Sequence, residues 1–119
     1  MTFITVCIMI LLLFFRKGDT KMRSSRLESG FQDRVKRDLE RILPGCMVLK
    51  QEAFQGIPDL LVLYGDRWFA LECKRSQREA HQPNQDYYVD LMDRMSYARF
   101  IYPENKEEIF DEIFRSFQA

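Results

Sequence analysis

The chain has 119 residues, of which 46% are hydrophobic and 30% are charged, and its formal net charge is zero. This length suits one small domain with one core, and this composition excludes a disordered chain. The single histidine and the lack of a Cys-x-x-Cys pair exclude a histidine-rich metal site, a zinc finger and a catalytic pair of histidines. Hydrolytic chemistry would therefore use carboxylates, lysine and a metal ion. The cysteine pattern makes a reducing cytoplasm the expected compartment.

Residues 3–15 are almost wholly apolar, and Arg16, Lys17 and Lys21 follow them. A helix that crosses a bilayer needs about 20 apolar residues, so this run is short. A secretory signal would carry its positive charge before the apolar run. Two interpretations stay open: residues 1–21 precede a natural start at Met22, or residues 3–15 form a short anchor that leaves the rest of the chain in the cytoplasm. The regular domain is expected over residues 22–119.

The first predicted element of that domain is a helix. Ser24 and Ser25 are suitable N-cap residues, and Pro44-Gly45 ends the helix. Its apolar residues recur at helical spacing and form a stripe, which consists of Leu27, Phe31, Val35, Leu39 and Ile42.

Polar residues flank this stripe on two sides of the helix. Glu28 and Gln32 are four residues apart and form a row at its edge, where they can face the rim of a sheet that the helix covers. Arg34, Arg37 and Arg41 lie on another face, which suits contact with phosphates or simple solvation. Residues 16–50 hold ten Lys and Arg against five Asp and Glu, and a basic half of this kind fits contact with a polyanion.

A first strand is predicted over residues 46–50, and a hairpin follows it. The stretch from Gly56 to Lys74 consists of two apolar runs joined by Gly65-Asp66, a common hairpin turn. If this loop has two residues, counting back along both strands puts Asp59 directly opposite Glu72. Opposed side chains have Cβ atoms roughly 5 Å apart, so two like charges there repel. A divalent cation between them, Mg²⁺ or Mn²⁺, would relieve that repulsion.

Residues two apart on a strand share a face, so Glu72 and Lys74 point to the side that Asp59 occupies. Two carboxylates and one ammonium are the minimum set for hydrolysing a phosphodiester. A metal ion lowers the pKa of a bound water and neutralises charge on the phosphate. The lysine can orient that water or stabilise the developing charge.

The rest of the chain predicts a polar loop, a helix, a strand and a last helix. Gln82-Pro83-Asn84-Gln85 opens the second helix, with Pro83 in its first turn. Gln85 lies on the same face as the apolar stripe of that helix, which consists of Tyr88, Leu91, Met92 and Met95. A buried amide needs partners, and a site water, a phosphate or a backbone group would serve.

The last strand covers residues 97–102 and the last helix residues 104–117. The predicted order of elements is therefore α-β-β-β-α-β-α. This order implies an α/β fold in which helices flank a central mixed sheet.

Four motifs of this chain resemble the PD-(D/E)XK nuclease superfamily, and specifically the small VRR-NUC-type nucleases of bacteriophages. The resemblance covers about residues 26–117. It rests on Glu28-Ser29-Gly30-Phe31-Gln32, Gly56-Ile57-Pro58-Asp59, Glu72-Cys73-Lys74 and Gln82-Pro83-Asn84-Gln85. It implies a restriction-endonuclease-like fold and a Mg²⁺- or Mn²⁺-dependent endonuclease that cuts DNA, often branched or Holliday-junction DNA, in phage DNA metabolism in the host cytoplasm. Junction cleavage would imply a homodimer.

The resemblance also implies a role for each matched position. Asp59 and Glu72 would be the principal metal ligands, and Glu28 would help to hold the metal. Lys74 would position the attacking water, and Gln85 would support the site. The wider set of expected nucleic-acid contacts consists of Gln32, Arg34, Arg37, Arg41 and Arg75.

Two other functions compete with this one. A nucleic-acid-binding module on the same fold would not need opposed acids, so the set of carboxylates argues against it. A small membrane-anchored interaction protein is suggested by residues 3–15 alone.

Overall fold

A computed structural model describes residues 26–117, with side chains from Ser29 onward. Over this range the elements follow the order α-β-β-β-α-β-α that the sequence predicts. They are α1 (Arg26–Ile42), β1 (Met47–Lys50), β2 (Leu60–Tyr64), β3 (Arg67–Cys73), α2 (Gln85–Met95), β4 (Ala98–Ile101) and α3 (Lys106–Phe117).

The four strands form one mixed sheet in the order β1-β2-β3-β4. The first three strands are antiparallel neighbours, whereas β4 runs parallel to β3 because α2 carries the chain back across the sheet. Tyr64 pairs with Arg67, so the hairpin loop consists of Gly65 and Asp66 alone, as predicted. Gly65 has φ +65°, a conformation that glycine adopts without steric cost.

Helices cover both faces of this sheet and bury two hydrophobic clusters. The larger cluster joins α1 and α3 to one face, and it includes Val35, Leu39, Val62, Phe69 and Ile113. The smaller cluster lies on the other face, where Val89 of α2 meets residues such as Leu61 and Ala70. The chain is therefore an α/β protein with a helix-flanked mixed sheet, in agreement with the predicted class.

The helix α2 differs from its prediction in its start and at the C-terminal end of its buried face. It begins at Gln85, so Pro83 precedes the helix and does not lie in its first turn; Asn84 is the N-cap, at φ +72°. Met95 is 63% exposed, and Val89 is the buried residue one turn after Gln85. The side chain of Gln85 is hydrogen-bonded to the sheet, and this anchor turns Gln85 and Val89 toward the strands.

The loop between β1 and β2 packs against the start of α2. Gly56 has φ +101°, and a Cβ atom added there would lie 2.7 Å from the Cβ of Asn84 and 3.0 Å from the ring of Tyr88. Two residues earlier, the Phe54 ring meets the Tyr88 ring edge to face at 5.6 Å. A residue without a side chain is thus required where this loop approaches the helix.

No helix within residues 26–117 combines the length and the apolar character needed to cross a membrane. Residues 1–21 lie outside the described residues, and so do the hypotheses of a start at Met22 and of an anchor at residues 3–15.

The close approach at Gly56 can be tested against a second glycine with a similar backbone. Gly45 has φ +94° and nothing within 4 Å of an added Cβ. We expect Gly45→Ala to lower the free energy of unfolding by about 1 kcal/mol, because of backbone strain. Gly56→Ala should cost roughly 1–3 kcal/mol more, because it also forces the loop away from α2. Urea unfolding of both variants measures the difference, and equal losses would contradict the packing argument.

Candidate active site

Two carboxylates face each other at the open end of the hairpin. Asp59 directly precedes β2, and Leu60 pairs with Leu71, so the next step of the register brings Asp59 opposite Glu72. The contacts agree with this placement. The backbone N–H of Asp59 donates to Glu72 Oε1 at 3.2 Å, and the backbone N–H of Cys73 donates to Asp59 Oδ2 at 2.9 Å. The predicted opposition of the two acids is confirmed.

Gln85 connects Glu72 to Lys74 across the start of α2. Its Nε2 donates to Glu72 Oε2 at 2.7 Å, and its Oε1 accepts a hydrogen bond from Lys74 Nζ at 2.7 Å. The same oxygen accepts from the backbone N–H of Gln82 at 2.8 Å, which fixes the orientation of the amide. Gln85 therefore holds the lysine and the glutamate together, with Lys74 Nζ and Glu72 Oε2 4.0 Å apart.

Lys74 is buried in this cluster, with 2% of its surface exposed. Besides Gln85, its ammonium group donates to the carbonyl oxygen of Ala80 at 3.2 Å. An ammonium group has three N–H donors. Two are used by these partners, so a third can serve a water or a phosphate oxygen.

The first helix reaches the same site through Gln32. Its Nε2 donates to Asp59 Oδ2 at 3.1 Å, so α1 contributes a side chain at the rim of the sheet, as the sequence predicts. Glu28 lies one turn before Gln32 on α1, and its side chain is outside the described residues.

Burial and the nearby charge of Asp59 both act on the pKa of Glu72. Its pKa is raised from 4.5 to about 9, first because the side chain is buried and then because the charge of Asp59 lies beside it. Lys74 opposes this rise only in part. Without a cation, Glu72 therefore keeps its proton at neutral pH.

This donor set fits a Mg²⁺ or Mn²⁺ ion. Among residues 29–117, no group of three His, Cys, Asp or Glu side chains is placed to hold a metal ion, and the site offers two carboxylates, those of Asp59 and Glu72. Mg²⁺ is usually bound through one or two carboxylates together with waters and substrate phosphates. A divalent ion would also replace the proton that Glu72 retains and remove the repulsion from Asp59.

The arginines that the sequence proposes for phosphate contact are at exposed positions. Arg34, Arg37 and Arg41 are exposed on α1, and Arg41 forms an ion pair with Asp38 at 2.8 Å. Arg75 directly follows Lys74, and its side chain is 51% exposed, with its Nε 3.6 Å from a carboxylate oxygen of Glu79. Of the five expected nucleic-acid contacts, the structure brings Gln32 into the cluster.

The sequence reasoning missed one polar residue next to the acids. Gln51 follows β1, is 8% exposed, and its backbone N–H donates to the carbonyl oxygen of Asp59 at 2.6 Å. A two-residue turn fixes the pairing of β2 with β3, but the loop between β1 and β2 is long. The sequence therefore does not predict that Gln51 pairs with Asp59.

The raised pKa of Glu72 predicts how stability depends on pH in the cation-free protein. Between pH 4.5 and about pH 9 the unfolded chain has lost the Glu72 proton while the folded chain keeps it. The folded state then binds more protons, so the free energy of unfolding should fall as pH rises through this window. Urea unfolding in EDTA at several pH values measures the slope.

Glu72→Gln should flatten this pH dependence, whereas Glu107→Gln, an exposed substitution on α3, should leave it unchanged. A full wild-type slope in Glu72→Gln would show that another group causes it.

The chain was compared with protein families, with curated proteins and with solved structures. No family model, no curated protein and no solved structure matches the chain. The interpretation of the site therefore rests on its own residues.

Proposed function

We propose that this chain is a divalent-cation-dependent endonuclease that hydrolyses phosphodiester bonds in DNA. The observation that carries the proposal is the pair Asp59 and Glu72, opposed across the hairpin, with Lys74 Nζ 4.0 Å from Glu72. A protein that only binds DNA gains nothing from two facing carboxylates, since acids repel phosphate. A cation bound between the two acids would attract the phosphate instead of repelling it.

Asp59 and Glu72 would hold Mg²⁺ or Mn²⁺. When bound, such an ion lowers the pKa of a water and neutralises charge on the scissile phosphate. Lys74, with one N–H donor left for a new partner, orients the attacking water or stabilises the charge that develops on the phosphate. Glu72 must release its proton for the carboxylate to bind the ion, so binding is favoured at higher pH.

Access to the site is from the side of Asp59. Glu72 and Lys74 are 3% and 2% exposed, whereas Asp59 is only partly buried. A phosphate therefore approaches past Asp59, and the buried pair lies behind it. Gln85 and Gln32 act as positioning residues, because Gln85 orients Lys74 and Glu72 and Gln32 orients Asp59.

We further assign the chain to a restriction-endonuclease-like fold of the PD-(D/E)XK type. The support is the element order, the mixed sheet between helices, and the placement of the acids at one end of adjacent antiparallel strands. Glu28 would add a further carboxylate from α1, and Arg34, Arg37, Arg41 and Arg75 would contact the DNA backbone.

Exposed aromatic rings near the site support a preference for DNA with unpaired bases. Phe54 is 50% exposed and Tyr87 is 59% exposed. Both contact Tyr88, at ring-centroid distances of 5.6 Å and 4.9 Å, and Tyr88 lies one turn after Gln85. Aromatic faces stack on bases that have left the duplex. A flap or another branched substrate with a single-stranded arm supplies such bases. If the chain also cuts junctions symmetrically, it would use a homodimer.

The cleavage chemistry is tested with Asp59→Asn and Lys74→Met. Each should lower the cleavage rate of DNA in Mg²⁺ by about a hundredfold or more, because one removes a cation ligand and the other the buried ammonium. Wild-type cleavage should stop when EDTA removes the cation. A panel of duplex, single-stranded, flap and junction DNA supplies the substrates.

Matched controls are Asp66→Asn in the hairpin turn and Lys50→Met on β1, both exposed. These variants should cut at the wild-type rate. Undiminished cutting by Asp59→Asn or Lys74→Met would refute the site, and DNA binding without any cation-dependent cutting would favour a non-catalytic binding module.

The aromatic residues are tested by comparing substrates. Phe54→Ala and Tyr87→Ala should each weaken binding to single-stranded or flap DNA by roughly 1–3 kcal/mol and change duplex binding little. Phe114→Ala on α3, which removes a ring that is 44% exposed, is the control. Fluorescence anisotropy in Ca²⁺ with labelled DNA measures the affinities. An equal loss on all substrates would argue against base stacking.

A further inference from the structure

Gln51 lies beside the two acids in one row across the sheet. Lys50 pairs with Leu60, so the next step of the register places Gln51 opposite Asp59, on the side away from Glu72. The hydrogen bond from the Gln51 backbone N–H to the Asp59 carbonyl oxygen, 2.6 Å long, agrees with this register. Paired residues of antiparallel strands project to the same face. The side chains of Gln51, Asp59 and Glu72 therefore share a face.

The side-chain amide of Gln51 is buried, and its oxygen accepts no hydrogen bond from the described residues. The residue is 8% exposed, and among the described residues its Oε1 is buried with no hydrogen-bond partner. Buried side-chain oxygens nearly always accept a hydrogen bond, since an unpaired one loses its water and gains nothing. Gln51 is the one described residue with such a side-chain atom, and it lies next to the candidate cation ligands.

The neighbours of Gln51 in the row cannot satisfy this oxygen once a cation is bound. Ionised carboxylates only accept hydrogen bonds, so Asp59 and Glu72 have nothing to donate to it. The Lys74 ammonium directs two of its N–H groups to Gln85 and Ala80 and makes no hydrogen bond to this oxygen. What the oxygen lacks is a donor from outside the protein, and a water bound to a divalent cation is a strong donor.

We propose that Gln51 is a positioning residue whose Oε1 accepts a hydrogen bond from a water on the cation held by Asp59 and Glu72. The inference rests on the proposed function, because it needs that cation. A neutral amide suits the role, since it supplies an acceptor without adding a third negative charge to two acids that already repel. The loop after Gln51 is held against α2 by the Phe54–Tyr88 contact, which helps to fix the residue in place.

The test measures Mn²⁺ affinity on the full chain without DNA, by isothermal titration at pH 8. Gln51→Met keeps the length of the side chain and removes the amide. We expect it to weaken Mn²⁺ binding by about tenfold, the lower end of the loss seen when a group outside the direct ligands is removed. The melting temperature in EDTA should stay the same or rise, because the unpaired oxygen is gone. Gln55→Met, exposed in the following loop, should change neither quantity.

A purely structural role for Gln51 gives the opposite pattern, in which the melting temperature falls and the Mn²⁺ affinity stays within twofold of wild type. That result overturns the inference. Gln51→Glu keeps an acceptor at the same place, so it should bind Mn²⁺ at least as tightly as wild type, and weaker binding would also overturn it. This variant decides the matter if Gln51→Met does not fold.

Wild type and Asp59→Asn separate this inference from the proposed function. If wild type binds Mn²⁺ and Asp59→Asn does not, the cation site stands and the Gln51 variants alone decide the role of the amide. If wild type does not bind Mn²⁺, the proposed function and the inference are both overturned.

Discussion

The site depends on the register of one hairpin. A two-residue turn pairs Tyr64 with Arg67, and the same register brings Asp59 opposite Glu72 at the far end of the strands. A slip of one residue would turn either acid to the other face of the sheet, where the larger hydrophobic cluster lies. The turn at Gly65-Asp66 therefore determines that Asp59 and Glu72 lie opposite each other at the other end of β2 and β3.

Holding two acids together in a partly buried place is costly unless polar partners surround them. Here the backbone supplies several of these partners, since the N–H groups of Asp59 and Cys73 donate to the two carboxylates. Gln85 and Gln32 supply further partners from two different helices. The polar cluster thereby joins α1 and α2 to the sheet at one end, while the two hydrophobic clusters join them along their length.

The cluster brings the two acids close to each other. Among the described residues, one buried ammonium lies beside two carboxyl groups. The pKa of Glu72 rises to about 9, first because the side chain is buried and then because the charge of Asp59 lies beside it. A protein that needed these residues only for stability would do better with apolar side chains of similar size. The cation that we propose would offset the repulsion between Asp59 and Glu72. Among the described residues, the buried Oε1 of Gln51 beside Asp59 also has no hydrogen-bond partner, and a water on the proposed cation would supply one.

Local patterns in the sequence determined the element order, the mixed α/β class and the opposition of Asp59 and Glu72, because turn length and strand alternation act over a few residues. They also placed Gln32 and Gln85 on faces directed toward the sheet. The tertiary structure alone decided that Val89 is buried and Met95 is exposed on α2, since the bonds from Gln85 to Glu72 and Lys74 set how this helix meets the sheet. The tertiary structure alone also brought Gln51 to Asp59. The loop between β1 and β2 is too long for its sequence to predict which residues of the two strands pair.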